Sequence, residues 1–395
     1  MSTQITNGAL LRNRDGGHAR VGFVELFFDL VFVFAVTQLS HGLIAHPTPL
    51  GALQTVLMLM AVWWAWMYTT WATNWLEVEH RGVRAMLFAV MAAGVVMSAS
   101  IPHAFDETGL VFASAYVLIQ LGRTGFLLYA VRGDPVLRSN FQRVVVWFCV
   151  SAVFWLLGGF AEGPARLGWW ALALGIDYLG PVSMFWTPGL GRSSTHDWSV
   201  EGGHMAERCG LFMIIALGES ILVTGATFAA HDWTPGVIAA FASAFITTLA
   251  MWWIYFSANA EAASEKISTS DDPGRVARTA YTYMHIFLVA GIIVTAVGDE
   301  WALAHPTGHT DVKTAAVLLG GPALFLLGSL LFKLSVFRVL PVSRLVGLGL
   351  LGLLAIPAMH VSPVVLSWLA TGVLLVVAAW ETVAYQQRER PGRVA

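Results

Sequence analysis

The chain has 395 residues, of which 57% are hydrophobic and 12% are charged, and its formal net charge is −2. A soluble protein of this length has about twice that share of charged residues, roughly 25%, because its surface must be solvated. The composition therefore excludes a soluble globular protein and predicts an integral membrane protein whose partner is the lipid bilayer. Nucleic-acid binding has no support either, since the basic residues lie in short loops and form no contiguous stripe.

Apolar runs of about 20 residues, long enough to cross a bilayer as helices, follow one another along the whole chain. Twelve such runs start near Phe23, Leu50, Val83, Gly109, Phe141, Leu167, Met205, Pro235, Ala280, Val312, Ser343 and Ser362, and the last ends near Tyr385. No short apolar region with a small-residue cleavage site precedes the first run, so this run is expected to be retained as a helix. The sequence predicts an all-α, polytopic membrane helix bundle with about 12 transmembrane helices.

The first run, from Val24 to Val36, contains two acidic residues, Glu25 and Asp29. Their spacing puts both carboxylates on one face of a helix. A carboxylate taken out of water costs several kcal/mol unless it is paired, protonated or in contact with a wet cavity. Glu25 and Asp29 are therefore the first candidate functional residues.

The basic residues predict the orientation of the chain. The even-numbered loops and the C-terminal tail contain Arg81, Arg84, Arg132, Arg138, Arg143, Arg192, Lys266, Arg275, Arg278, Lys333, Arg338, Arg344, Arg388, Arg390 and Arg393. The odd-numbered loops contain only Arg166 and Lys313. Because cytoplasmic loops are enriched in Lys and Arg, both termini are predicted to be cytoplasmic.

The two halves of the chain resemble each other. The second run has Trp63-Trp64 followed by Asn74, and the eighth has Trp252-Trp253 followed by Asn259. Further corresponding pairs are Glu25 with Glu207, Arg84 with Arg278, and Asp177 with Glu381. Because each half has an even number of runs, we predict two parallel six-helix repeats. The expected organisation is a cytoplasmic segment (1–22), a first repeat (23–190), a cytoplasmic linker (191–204), a second repeat (205–385) and a cytoplasmic tail (386–395).

The seventh run contains a second set of charged residues, His204, Glu207, Arg208 and Glu219. At 100° per residue, Arg208 and Glu219 lie about 20° apart around a helix, and His204 lies about 40° from Arg208. At 1.5 Å per residue, Glu219 lies roughly 16 Å beyond Arg208, near the middle of the bilayer. This glutamate is a candidate binding or proton-coupling group; the alternative is a protonated or hydrogen-bonded residue that only ties helices together.

Other polar residues in or beside the runs support these candidates. Asn74 and His80 lie near the inner end of the second run, where they could line an inward vestibule with Glu25 and Asp29. Arg123 and Asp177 are expected to form an internal ion pair. No spacing matches a metal-ligand signature, so no metal site is predicted and no cofactor is identified. The two cysteines, Cys149 and Cys209, are predicted to be buried thiols.

The stretch from Glu25 to Ala35, followed by Thr37-Gln38-Leu39 and later by Glu207-Arg208 and Gly218-Glu219-Ser220, resembles the bacterial low temperature requirement A (LtrA) family. The resemblance covers essentially the whole chain and implies a polytopic protein of the bacterial inner membrane, linked by name to growth in the cold. Phe27-Phe28-Asp29 is also more distantly similar to the Phe-Ser-Asp motif of potassium channels built from six-helix repeats. However, the serine is missing and no second copy occurs in the other half.

Three function classes remain open. The first is a transporter or channel for a small cation, proton or small solute, with Glu25, Asp29 and Glu219 as binding or proton-coupling groups and His204, Glu207 and Arg208 at an inner gate. The second is an intramembrane enzyme that acts on a lipidic or other hydrophobic substrate by acid/base chemistry. The third is a membrane scaffold or sensor without turnover, in which the buried charges pair with one another.

Overall fold

The computed structural model describes residues 10–12, 21–194, 200–256, 266, 270 and 272–388. Within these residues the chain is helical, with two isolated β-bridges and no strand. The all-α prediction is therefore confirmed. Asn259, Arg390 and Arg393, which the sequence analysis used, lie outside the described residues.

Within the described part of the chain, twelve helical segments follow the predicted runs. They are α1 (Phe23–Ala45), α2 (Pro49–Trp75), α3 (Arg81–Ser100), α4 (Gly109–Ala130), α5 (Pro135–Phe160), α6 (Gly163–Val182), α7 (Gly202–Ala230), α8 (Pro235–Phe256), α9, α10 (Val312–Phe337), α11 (Val342–Leu354) and α12 (Pro363–Arg388). Helix α9 is composite and consists of Pro273–Ala277, a π-helix at Arg278–Met284, and His285–Ala304.

Ten of these helices are long and apolar enough to cross a membrane, so the prediction of twelve crossings is supported for ten. Helix α11 has 13 residues and is about 20 Å long, which is shorter than the roughly 30 Å hydrocarbon core. Helix α6 has 20 residues but includes Arg166, Asp177 and Pro181, and it is not among the ten. The chain is a multi-pass membrane protein.

The chain divides into two compact units, which we describe separately. The first consists of Met1–Arg208 and Asp271–Arg275, and the second of Cys209–Ser270 and Val276–Ala395. In the first unit, α1 packs against α2 and α3, and α3 to α6 pack sequentially. Helix α2 also contacts α4 and α6, and it buries Trp63, Trp64 and Trp66 completely. These tryptophans lie in the interior of the first unit.

In the second unit, α9 and α10 form the most extensive helix pair. Helix α8 packs against α9 and α12, and α10 packs against α11 and α12. Cys209 is buried in this unit as predicted. Cys149, on α5 of the first unit, is exposed, so the prediction of a buried thiol is wrong there, because this face of α5 points away from its neighbouring helices.

Helix α10 begins after Asp311, whose Oδ1 accepts a hydrogen bond of 2.8 Å from the amide of Thr314. Hydrogen bonds from Thr314 lower the pKa of this carboxyl group, with a smaller contribution from Lys313. A lowered folded-state pKa means that the ionised cap stabilises the protein above the ordinary carboxyl pKa and stops doing so as the pH falls through the folded-state value. We expect Asp311→Asn to keep the cap but reduce the acid sensitivity of the thermal midpoint, measured in detergent from about pH 3 to 7. An unchanged pH profile would contradict this.

Candidate functional site

Glu25 and Asp29, the two acids of α1, are both completely buried in the first unit. They lie on one face of the helix, as predicted, beside the buried rings of Phe28 and Phe32. Neither residue has a solvent-accessible side chain. The inward vestibule expected beside them is filled by the side chains of Arg12, His204 and Arg208.

Glu25 is bound by partners from three parts of the chain. Its Oε2 accepts hydrogen bonds from the amide of Gly22, at 2.9 Å, and from Arg12 Nη2, at 3.1 Å. Its Oε1 lies 2.9 Å from Nε2 of His204, on the first turn of α7. Glu25 therefore caps α1 and also holds the N-terminal segment and α7 next to it.

The imidazole ring of His204 lies between Asn74 on one side and Glu25 and Arg12 on the other. The side chain of Asn74 donates to the carbonyl oxygen of Glu201 at 2.9 Å and accepts from the amide of Glu201 at 3.1 Å, which fixes its orientation. Its Nδ2 then faces Nδ1 of His204 at 3.3 Å. On the other side of the ring, Nε2 of His204 lies 2.9 Å from Glu25 Oε1 and 3.1 Å from Arg12 Nη2, so the imidazole is held from both sides.

Asp29 forms the second ion pair, with Arg208. Its Oδ1 accepts from Trp66 Nε1 at 2.7 Å and from Arg208 Nη2 at 2.9 Å. The guanidinium carbon of Arg208 lies 5.6 Å from the ring centroids of both Phe28 and Trp66. Both distances are within the range of a favourable cation–π interaction in a desolvated site.

The Asp29–Arg208 pair is incompletely hydrogen-bonded. Within the described residues, Oδ2 of Asp29 and both Nε and Nη1 of Arg208 are buried without a hydrogen-bond partner. Arg208 Nε is 4.0 Å from Oε1 of Glu25, which is too long for a hydrogen bond. Each buried polar atom without a hydrogen bond lowers the stability of the fold by about 1–3 kcal/mol. The Asp29–Arg208 pair carries this cost, whereas both carboxylate oxygens of Glu25 accept hydrogen bonds.

Arg12 is a member of the charged cluster that the sequence did not single out. Its Nε donates to the carbonyl oxygens of Thr73, at 2.9 Å, and Leu76, at 3.0 Å, at the end of α2. Its amide donates to the carbonyl oxygen of Trp75 at 2.9 Å. Arg12 thus caps the C-terminus of α2 and pairs with Glu25 at the same time. Nothing in the local sequence distinguishes it from an ordinary arginine outside the apolar runs.

A stripe of polar residues on α2 could have predicted from the sequence which face of this helix meets the charged cluster. Trp66, Thr70, Thr73 and Asn74 recur at helical spacing on an otherwise apolar helix, and all four are buried. Trp66 binds Asp29, and Thr70 Oγ1 lies 3.4 Å from Arg208 Nη2. The stripe therefore marks the face of α2 that contacts the charged cluster.

Arg123 and Asp177 are both buried, but among the described residues they do not form the direct ion pair that we expected. Arg123 Nη2 donates to Gln120 Oε1 at 2.6 Å, Gln120 Nε2 donates to the Tyr116 hydroxyl at 2.9 Å, and that hydroxyl donates to Asp177 Oδ2 at 2.8 Å. The two charges are linked through two intervening side chains because Arg123 lies about two turns along α4 from Tyr116, the residue of that helix that contacts Asp177.

The remaining predicted residues lie in different places. Glu207 is half-buried and accepts a hydrogen bond of 3.3 Å from the amide of Val21, next to the cluster. His80 caps α3 by accepting from the amide of Gly82 at 3.0 Å, and it does not join the cluster. Glu219 lies on α7 in the second unit, where it is half-buried.

The described residues contain no group of three or more His, Cys, Asp and Glu side chains suited to a metal ion. A polar cavity of about 190 Å³ lies at the other end of α1, beside His46, Gln54 and Asp106. A much smaller one, of about 10 Å³, lies in the second unit beside Asp299. Neither of these two cavities is lined by Glu25, Asp29 or Glu219.

Comparison with known proteins decides the family. The model of the bacterial low temperature requirement A protein (LtrA) family matches residues 20–379. The chain belongs to the LtrA family. This LtrA family member is also 41% identical, over 382 residues, to an uncharacterized protein of Rhizobium meliloti (strain 1021), and the match covers 96% of this chain and 93% of that protein. No solved structure matches it.

Proposed function

We propose that this LtrA family member is a transport protein of the bacterial cytoplasmic membrane that moves a small cation, a proton or a small solute. The observation that carries the proposal is the Asp29–Arg208 ion pair, which is fully buried and only partly hydrogen-bonded. Ionisable residues at membrane depth are expensive and are typical of ion pathways and proton relays.

The incomplete hydrogen bonding of this pair supports a role in which Arg208 changes its partner, rather than a role as a fixed structural ion pair. A buried ion pair stabilises a fold only if further hydrogen bonds satisfy its remaining atoms. Arg208 leaves two of its three nitrogens without a partner within the described residues, and Asp29 leaves one oxygen. Arg208 is therefore positioned to exchange Asp29 for Glu25, whose Oε1 is 4.0 Å from Arg208 Nε.

In this mechanism, binding of a proton or cation at Asp29 weakens its attraction to Arg208, which then moves towards Glu25. Glu25, His204, Glu207 and Arg208 form the inner gate. Glu219 is a second binding or proton-coupling group, on α7. Both termini are cytoplasmic in this proposal, since the basic loops lie on the side of the N-terminal segment.

A similar arrangement of buried acids supports the two six-helix repeats. Asp177 on α6 accepts hydrogen bonds from Tyr116 on α4 and Trp155 on α5. In the second unit, Glu381 on α12 accepts from Lys333 on α10, at 2.6 Å, and from Ser343 on α11, at 2.7 Å. In each proposed repeat, the sixth helix provides an acid that the fourth and fifth helices bind.

The scaffold or sensor is the second candidate function, and the complete pairing of Glu25 favours it. This carboxylate binds Gly22, Arg12 and His204, as a structural tie would. The enzyme interpretation has no such observation in its favour, because neither cavity described above is lined by Glu25 or Asp29.

A flux assay tests transport. We expect wild-type protein in liposomes to conduct protons or alkali cations, and Asp29→Asn and Glu219→Gln to reduce the rate roughly 10- to 100-fold, the equivalent of one charged hydrogen bond. Glu25→Gln is expected to leave the pathway leaky, because it loosens the gate.

Glu79→Gln is the matched control, since Glu79 is 62% exposed and pairs only at the surface with Arg84. Its flux should equal that of the wild type, and every variant must first show a monodisperse elution profile. Absence of flux in the wild type, or equal flux in all variants, would overturn the transport proposal and favour the scaffold.

A further inference from the structure

The second unit contains a small polar cavity that the sequence analysis did not predict. It is lined by Thr247 of α8, Thr295 and Asp299 of α9, Leu318 and Pro322 of α10, and Ser367 of α12. Its volume of about 10 Å³ suits one water-sized particle. We propose that this cavity is a binding site for a single Na⁺ ion.

Asp299 provides the charge. Its side chain is 3% exposed, and its Oδ2 is buried without a hydrogen-bond partner within the described residues. The Oγ1 of Thr295, one turn earlier on the same face of α9, is likewise buried without a partner. Two unsatisfied oxygen atoms at the same cavity are costly unless something binds them there.

The directions of four hydroxyl hydrogen bonds favour a cation over an anion. Thr371 Oγ1 donates to the carbonyl oxygen of Ser367 at 2.8 Å, so its only proton is used. Ser243 and Thr247, at 2.9 Å and 2.6 Å from Thr371 Oγ1, must therefore donate to it. Ser367, at 2.8 Å from Ser243, must then donate to Ser243.

In this order of hydrogen bonds, the protons of these four hydroxyl groups point to one another or to a carbonyl oxygen and not into the cavity. Ser367 and Thr247, which line the cavity, use their protons elsewhere and present lone pairs to it. Pro322 has no amide proton, so the carbonyl oxygen of Leu318 lacks its usual helical partner. Carboxylate, hydroxyl and carbonyl oxygens are the ligands that hard cations prefer.

The charge and size of the cavity select a monovalent ion. Asp299 is the only acidic residue among those that line it, so one positive charge gives a neutral site inside an apolar bundle. A divalent ion would leave an excess charge. K⁺ is larger than Na⁺ and fits a cavity of about 10 Å³ less well.

Close packing of α9 and α10 holds the site together. A Cβ atom on Gly298 would lie 3.2 Å from the amide nitrogen of Leu318, and one on Gly321 would lie 2.5 Å from that of Thr295. Glycine at these positions lets the two backbones approach each other, which places Thr295 and Asp299 next to the proline-interrupted turn of α10.

Binding is tested on the purified full-length protein in detergent, with radiolabelled Na⁺ and with thermal unfolding in Na⁺ titrated against choline at constant ionic strength. We expect saturable binding of Na⁺ and a rise of the unfolding midpoint with its concentration. Asp299→Asn is expected to weaken binding by about tenfold or more, because the charged ligand is lost.

Asp232→Asn is the control, since Asp232 is exposed in the turn before α8, and it should bind Na⁺ like the wild type. If Asp299→Asn does not fold, Thr295→Val, which removes only the hydroxyl group, should show the same weakening. Equal stabilisation by K⁺ or choline, or unchanged binding in Asp299→Asn and Thr295→Val, would overturn the proposal. The assay needs no flux, so its result is independent of whether the protein transports anything.

Discussion

Arg208→Met is expected to destabilise the protein by about 3–5 kcal/mol, because the substitution leaves a buried carboxylate without its counter-charge. Asp29 is completely buried, and Trp66 would be its only remaining hydrogen-bond donor within the described residues. Methionine keeps most of the volume and the linear shape of the arginine side chain, so cavity formation adds little. The measurement is the midpoint of thermal or denaturant unfolding of the purified protein in detergent.

A second substitution separates the charge from other effects. Asp29→Asn keeps an acceptor for Trp66 and removes the charge, so the double variant Arg208→Met, Asp29→Asn should recover most of the lost stability. Arg132→Met is the control, because Arg132 is exposed on the surface, and its effect should stay within about 0.5 kcal/mol. If the double variant were no more stable than Arg208→Met alone, the uncompensated charge would not be the cause.

Gly321→Ala is expected to destabilise the second unit by about 1–3 kcal/mol, through overpacking. The new Cβ atom would lie 2.5 Å from the backbone nitrogen of Thr295 and 2.8 Å from its Cα, so the backbones of α9 and α10 would have to move apart. Because Thr295 lines the Asp299 cavity, the same change is expected to weaken Na⁺ binding.

Gly320, the preceding residue, is a closely matched control. A Cβ atom there meets nothing within 4 Å, and alanine is the better helix former, so Gly320→Ala should be neutral or slightly stabilising. Unfolding midpoints of the two variants, measured side by side in the same detergent, test the difference. Equal midpoints would show that α9 and α10 are not in backbone contact at this position.

Helix positions followed from the sequence because membrane insertion is largely a local property. A segment in lipid must satisfy its own backbone hydrogen bonds, so an apolar run of sufficient length becomes a helix whatever its neighbours are. Four predicted starts, at Phe23, Gly109, Pro235 and Val312, coincide with observed ones. Helix α5 begins earlier than its apolar run, since Asp134 caps it and Pro135 occupies its first turn.

The charged residues could also be identified from the sequence, because an ionisable residue in or next to an apolar run stands out by composition alone. Glu25, Asp29, His204 and Arg208 were all recognised in this way, and the structure brings them together. Their shared helix faces follow from the helical repeat. Their membership of one cluster does not, since 179 positions separate Glu25 from His204.

Pairing depended instead on packing between distant segments. Arg12 has no local feature that predicts its bond to Glu25, and the position of the His204 ring depends on contacts with Asn74 and Glu25. The Asp299 cavity likewise requires four helices to meet. The length of each apolar run can be counted directly in the sequence. The partner of a buried charge, in contrast, depends on which helices pack together. The apolar runs alone do not encode that choice.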